Sequence, residues 1–504
     1  MKSARKSGRQ KSKSRRWTLS SARQSTFFWH DYETFGADPA RDRPVQFAGV
    51  RTDTELQPVG DPLVLYCRPA DDFLPQPRAC LITGITPQLA LEKGVPECQF
   101  ISRIHAEMAQ PGTCTVGYNS LRFDDEVTRH TLYRNFFDPY AREWQNGNSR
   151  WDIIDMLRTA CALRPEGIEW PLRDDGLPSF RLEELTAANG IGHAGAHDAL
   201  ADVRATIALA ALVRERQPKL YDYLLDHRDK RSVLAQFDIE NMKPVLHVSG
   251  MFGAQRHCIA LIVPLAIHPV NRNEVICYDL DAEPGALLEL SADALRERLY
   301  TRSEDLAEDC QRPGLKSVHI NRCPVIIPAG MATPAIAERL GIEGERCRRH
   351  LAMLREYRQA DAQGFRQKIA DIYQPRERPA VTDPDLALYS GGFFADQDKR
   401  CMDAIRAASP EELAEHSWVF SDQRLPEMLF RYRARNYPES LSGAERAQWE
   451  EYRFQRLTDP EAGASICMDA FHVEIEALQA DSSLPPAARR ILEQLLDYSD
   501  ALLA

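Results

Sequence analysis

The chain has 504 residues, 43% of them hydrophobic and 27% charged, a globular composition too long for a single core, so two to four domains are expected. Its net charge is −11, yet the first 26 residues hold nine Lys or Arg and no acid, leaving −20 for the remainder. No apolar run approaches the roughly 18 to 20 residues that span a bilayer, the basic start lacks the apolar core of a secretory signal, and twelve cysteines without a CxxC pair argue against a disulfide framework or zinc cluster, so a cytoplasmic protein without membrane association is expected.

Residues 1–25 read as a disordered basic arm. Over 26–217, the apolar runs STFFWHDYET, VQFAGVRTD, PLVLYCRP and GTCTVGYN alternate with helical stretches near Asp124 to Tyr133 and His197 to Val213. That order predicts hairpin strands followed by parallel strands with packed helices, an α/β domain ending at the seam Gln217-Pro218. Over 218–374, MKPVLHVSGMFGA, CIALIVPLAIHP, NEVICYDLD and SVHINRCPVIIP give short β-rich runs between turn residues, a small barrel or sheet with flanking helices. After the loop QPRERPAVTDPD, residues 375–504 are helical in period.

The chemistry-bearing residues lie in the first of these regions. An apolar strand ending Asp31-Tyr32-Glu33 sets both carboxylates on one face, where they repel unless a cation sits between them. Alone the pair means little, because Asp-x-Glu is common on solvated strands. Asp124, after the strand GTCTVGYN and at the opening of a helix, adds a third acid, although Asp at a helix start is ordinarily a cap. His197, four residues and Asp202 lead into another helix and can both face one site. Between these motifs Arg129, Tyr133, Arg134, Phe136, Phe137, Tyr140, Arg142 and Trp144 interleave basic and aromatic side chains, the composition of a single-strand track, with Phe136 and Phe137 the expected core pair.

The order Asp-x-Glu, Asn-x-x-x-Phe-Asp, His-x-x-x-x-Asp resembles the DEDD exonuclease superfamily in its His-x4-Asp subtype. Longer strings, WHDYETFG, GYNSLRFDDEVTRHTLYRNFFDPY, NSRWDIIDMLR, DDGLPSFRLEELT, AHDALADV, MKPVLHVSGMFGA and FRYRARNYP, resemble the bacterial exodeoxyribonuclease I family over about residues 26–504. The resemblance implies a ribonuclease H-like exonuclease domain, a β-rich Src-homology-like barrel domain and a C-terminal helical domain, closing as a ring around one strand. It implies processive 3′→5′ degradation of single-stranded DNA to 5′-mononucleotides in DNA repair and recombination, by a monomer. Asp31, Glu33, Asp124 and Asp202 would hold two Mg²⁺ ions, with Mn²⁺ as a substitute, and His197 would be the general base.

By the same resemblance, Glu33, Thr34 and Arg181 would meet the terminal nucleotide, the alternative for Arg181 being a salt bridge to Glu184. Arg129, Tyr140, Trp144, Arg158 and Lys230 would contact the strand, and Arg164, Tyr223, Lys243 and Arg355 would receive the acidic C-terminal tail of single-stranded-DNA-binding protein. Two other readings compete: a DEDD ribonuclease or proofreading subunit, which would be one compact domain of roughly 180 to 240 residues, and a strand-binding protein that has lost catalysis, which the intact acids oppose.

Overall fold

The computed structural model describes residues 25–193, 198–302, 304–307, 310–375 and 381–503, so nearly all of the expected basic arm lies outside the described residues. Strand β1 (Thr26–Thr34) is aromatic on both faces, and its pleat sends Phe27 and Trp29 into one core and Phe28 and Tyr32 into another. It is the middle strand of a five-stranded sheet. β2 (Pro44–Thr52) pairs antiparallel on one side and is followed outward by β3 (Leu63–Tyr66), also antiparallel. On the other side lie β4 (Thr113–Gly117) and β5 (Ser149–Asp152), both parallel. The expected helices run Asp124–Arg134 and Ala199–Arg216. The first packs Val127 and Leu132 on the Phe28 face, the second Val203, Leu209 and Val213 on the Trp29 face. The apolar pattern does not reveal β5, an edge strand of four residues whose only large apolar side chain is Trp151.

The second sheet comprises β6 (Val245–Val248), β7 (Ile259–Ile267), β8 (Glu274–Asp279), β9 (Leu315–His319) and β10 (Val325–Pro328). Every pairing is antiparallel, in the order β10-β6-β7-β8-β9. Leu246, Val248, Ile259, Val325 and Ile327 pack into the same cluster as Trp29, Val116, Trp151 and Tyr221, so one core runs across the Gln217-Pro218 seam. There the chain only changes helices, since Pro218 opens the helix Pro218–Asp226.

The helical region includes Asp396–Ala407, Leu425–Asn436, Gly443–Thr458, Met468–Gln479 and Pro486–Leu503. Ser442 and Glu445 form a reciprocal cap at the start of the third of these. The region docks on the first domain through two apolar clusters, Tyr133 and Phe136 against Met402, Ile405 and Tyr432, and Phe35 and Phe73 against Phe471, Ile475 and Leu495. A buried ion network accompanies them. Asp72 lies 2.8 Å from Arg435 and 3.5 Å from Arg456, and Asp385 lies 2.8 Å from Arg435 and 3.2 Å from Arg431. Among the described residues no helix is long and apolar enough to cross a membrane, and all twelve cysteines are free thiols.

Candidate active site

Period two puts Asp31 and Glu33 on the Trp29 face, opposite Ala48 and Gln46 of β2, and the β1–β2 register breaks just beyond, between Glu33 and Thr34. Asp202 arrives in the first turn of Ala199–Arg216. Two groups fix that helix start. Asp198 caps it, accepting the Ala201 amide at 3.2 Å, and Gln46 accepts the Ala199 amide at 3.2 Å while its own NH₂ reaches Tyr66 Oη at 2.9 Å. Carboxylate oxygens of Asp31, Glu33 and Asp202 consequently lie within 4.8 Å of one another.

Asp124 comes from the Phe28 face. It opens the helix Asp124–Arg134, and its Oδ1 accepts the Tyr32 amide at 3.1 Å, which ties the helix start to β1 next to Asp31. The loop before it, where Asn119 adopts a left-handed φ of 57°, is held by Asp152 at the end of β5. The Asp152 carboxylate accepts the amides of Asn119, Leu121 and Ile154 at 2.8, 3.2 and 3.1 Å. Sequence reasoning missed both Gln46 and Asp152. Their partners are backbone amides, which no residue pattern displays; the one available signal was an acid closing a short strand in NSRWD.

Burial makes ionisation of this cluster costly and its members make it worse for each other. Burial, then Asp124, Glu33 and Asp202, raise the Asp31 carboxyl well above its ordinary value. Burial, then Asp202 and Asp124, push Glu33 up to about 8. Asp124 is raised to about 8, chiefly by burial. The charges acting most strongly on Asp31 and Glu33 are all acidic. An all-oxygen, mutually repelling donor set fits a hard divalent cation, which would relieve the repulsion.

The expected general base, His197, lies outside the described residues. The described histidine at the cluster is His193, whose Nε2 is 2.5 Å from Asp202 Oδ1 and whose Nδ1 is 3.2 Å from the Thr186 hydroxyl. The motif gave no reason to single it out. Thr34 is buried, its hydroxyl donating to the Gly36 carbonyl at 2.6 Å. Arg181 is exposed and 3.5 Å from Glu184, the alternative salt bridge.

The strand-contact candidates fall in different surroundings. Trp144, 65% exposed, and Lys230 line one cavity of about 770 Å³ between the two sheets' domains, together with Arg228 and Arg231. Arg158 is half-buried, 2.7 Å from Asp155. Tyr140 is half-buried, with the Arg129 guanidinium 5.4 Å from its ring centroid. Arg129 itself is 6% exposed, with four of its five N–H donors engaged by both oxygens of Glu143, by Glu126 and by the Tyr389 hydroxyl. Arg134 and Arg142 are buried against Glu97 and Asp125, and Phe136 is core.

Two of the four tail-binding candidates share a cavity. Arg164 and Tyr223 line an apolar cavity of about 420 Å³ with Leu163, Leu220 and Met331. Lys243 and Arg355 do not line it; both are exposed, and Arg355 donates to the carbonyls of Asn241 and Met242, beside Lys243 in the chain.

Three family models match the chain: an exonuclease model over residues 28–210, an exonuclease I SH3-like domain over 228–375 and an exonuclease I C-terminal domain over 382–502. The chain is similar to exodeoxyribonuclease I of Escherichia coli K12, 53% identical over 86% of this chain and 90% of that one. It is also similar to exodeoxyribonuclease I of Haemophilus influenzae, 45% identical over 95% and 99%. Solved structures of E. coli exonuclease I with a dA16 oligonucleotide, in a zinc-ion-bound complex with single-stranded DNA, and as SSB/exonuclease I with the inhibitor CFAM match with TM-scores of 0.90, 0.90 and 0.87. Their identities are 49%, 48% and 48%, and each match covers 95% of this chain and 100% of the other.

Proposed function

The chain belongs to the exodeoxyribonuclease I family, and from that membership we propose that this metal-dependent exonuclease of single-stranded DNA works processively from the 3′ end, releasing 5′-mononucleotides. The observation that carries the reading is the convergence of Asp31, Glu33 and Asp202, with Asp124 pinned beside them, on the end of β1. Two divalent ions held by these four acids, Mg²⁺ with Mn²⁺ as a substitute, would supply Lewis-acid charge to the scissile phosphate.

The protein's own groups do the rest. His197 accepts the proton of the attacking water as its oxygen bonds to phosphorus. The bond from phosphorus to the 3′ oxygen of the preceding nucleotide breaks, and protonation of that oxygen leaves a new 3′-OH end. Glu33, Thr34 and Arg181 hold the departing nucleotide; Trp144, Tyr140, Arg158, Lys230 and Arg129 follow the strand behind it. A second reading of the base rests on the 2.5 Å contact of His193 with Asp202. Under it His193, four residues earlier in the chain, takes the proton. Separate His193→Asn and His197→Asn variants decide between them, because loss of the base removes about 10² to 10⁴ of turnover and changes the pH profile of kcat.

The division at 26–217, 218–374 and 375–504, a monomeric state, a cytoplasmic location and a role in repair and recombination belong to the same proposal. The free cysteines accord with a reducing compartment. As partner we propose the acidic tail of single-stranded-DNA-binding protein, whose apolar end suits the cavity at Arg164 and Tyr223, with Lys243 and Arg355 as further basic contacts for the tail. Arg164→Ala should weaken a tail peptide by roughly 1–3 kcal/mol in fluorescence anisotropy, more at low salt than at high. The main reading is tested with 3′- and 5′-labelled single strands and duplexes, with Mg²⁺ and with chelator. Labelled mononucleotide should appear first from the 3′ end of single strands and only with metal; early release from the 5′ end would refute the polarity.

A further inference from the structure

The helix Asp124–Arg134 opens without a side-chain cap, because the residue before it is Phe123, which has no oxygen to offer the first amides. Its first turn carries three acids, Asp124, Asp125 and Glu126. Successive residues on a helix point about 100° apart, so Asp125 does not share the contacts of Asp124 and is buried by itself among other partners. Two arginines hold it. Arg142 donates to one carboxylate oxygen at 2.5 Å and Arg150 to the other at 3.0 Å, and both arginines are buried.

Arg150 is fixed at each end. Its backbone lies in β5, opposite Thr115 of β4, and its carbonyl accepts the Cys323 thiol at 3.1 Å. Its Nη2 donates to the Asn321 carbonyl at 3.1 Å and lies 3.1 Å from Glu143. Asn321 and Cys323 stand between β9 and β10, so the second domain supplies part of the support. A buried ion pair contributes little net stability against an apolar pair of the same volume, since both charges give up their hydration. What a guanidinium does supply is direction, through a planar fork of donors that fixes angle as well as distance.

We infer that Arg150 is a positioning residue for the reaction: through Asp125 it sets the first turn of the helix and so the place of Asp124 beside β1. The inference rests on Asp124 being a metal ligand. Two carboxylates next to each other in the chain then divide the work, one facing the cluster at the end of β1 and the other anchoring the turn that carries it.

The test compares full-length variants by digestion of a single-stranded oligonucleotide at one subsaturating Mg²⁺ concentration, each below its own melting temperature. Arg150→Met should lose about 10- to 100-fold in kcat while KM, and Kd measured with chelator, stay within about twofold, because the metal ligands are displaced and the strand contacts are not. Asp125→Asn removes the same pairing from the other side with no change of shape; it should lose at least as much, and it carries the test if Arg150→Met does not fold. The double variant should be no slower than Asp125→Asn alone, since both changes act through one contact. A kcat near that of the wild type, a loss carried by KM and Kd, or losses that multiply in the double variant would overturn the inference. Asp124→Asn separates it from the metal reading. Near-normal turnover there would overturn both, whereas an inactive Asp124→Asn beside a normal Arg150→Met would overturn this inference alone.

Discussion

Two clusters of buried carboxylates, both built partly from the first domain, differ in what surrounds them. At the end of β1, Asp31, Glu33 and Asp124 are raised by burial and by other acids. At the seam with the helical domain, burial also opposes ionisation of Asp72 and Asp385, but Arg435 with Arg456 and Arg431 overcomes it and holds both well below the usual carboxylate range. Burial pushes both clusters the same way, and whether the chain supplies the counter-charge decides the direction of the shift. The seam is complete in itself and structural. The β1 cluster leaves its charge to be balanced by something that binds.

The comparison can be broken most directly at Asp31. Asp31→Asn should cut hydrolysis by about 10³ or more, the scale of several kcal/mol of lost charge stabilisation, while strand affinity with chelator stays near wild type. Near-normal turnover at saturating Mg²⁺ would show that the cluster is not the metal site. At the seam the largest effect falls on stability. Arg435→Ala strips Asp72 and Asp385 of their shared partner and should cost about 3–5 kcal/mol in urea unfolding, the price of a broken buried pair; a loss under 1 kcal/mol would mean the network is slack.

Asp152→Asn sharpens the contrast, since a single amide oxygen cannot accept three backbone amides. Turnover should fall about 10- to 100-fold through misplacement of Asp124, with the melting temperature little changed.

The smallest effects are the pH slopes, and they have opposite signs. Glu33 and Asp124 titrate near 8 when folded, against ordinary values of 4.5 and 3.8, so the folded chain retains protons that the unfolded chain has released. Without metal, that part of the stability falls as pH rises from about 4.5 to 8. Mg²⁺ should therefore raise Tm by more at pH 8 than at pH 5. The seam acids have depressed values, so their contribution is present above 3.8 and is lost as pH falls below it. Scanning calorimetry at several pH values with and without Mg²⁺ reads both; an equal Mg²⁺ shift at pH 5 and pH 8 would count against the cluster as described.

Much of this was legible in the residues. Alternation in TFFWHDYET predicted that Asp31 and Glu33 share a face, and four turn-separated apolar runs fall on the second sheet, the last of them spanning both β9 and β10. β5 escaped because four residues with one large apolar side chain carry too little period. Gln46 and Asp152 escaped because they act on backbone amides, and the pairing of Arg129 with Glu143 and Glu126 escaped because ion pairing depends on tertiary placement. Which of the four tail-binding candidates line the apolar cavity was not legible either, because cavity lining depends on tertiary placement: Arg164 and Tyr223 line it.

The seam also bears on how the protein is made. Asp72 and Arg435 are 363 residues apart in the chain. At a synthesis rate of about 5–20 residues per second, Asp72 emerges roughly 20 to 70 seconds before the arginine that neutralises it. During that interval β1 and its acids exist on a nascent chain whose second apolar cluster lacks Phe471, Ile475 and Leu495. Asp72 in this interval remains hydrated, because burying it unpaired is unfavourable. Asp72 can be buried only after the helix Leu425–Asn436 has been made, so the first domain completes its packing well after β1 is synthesised.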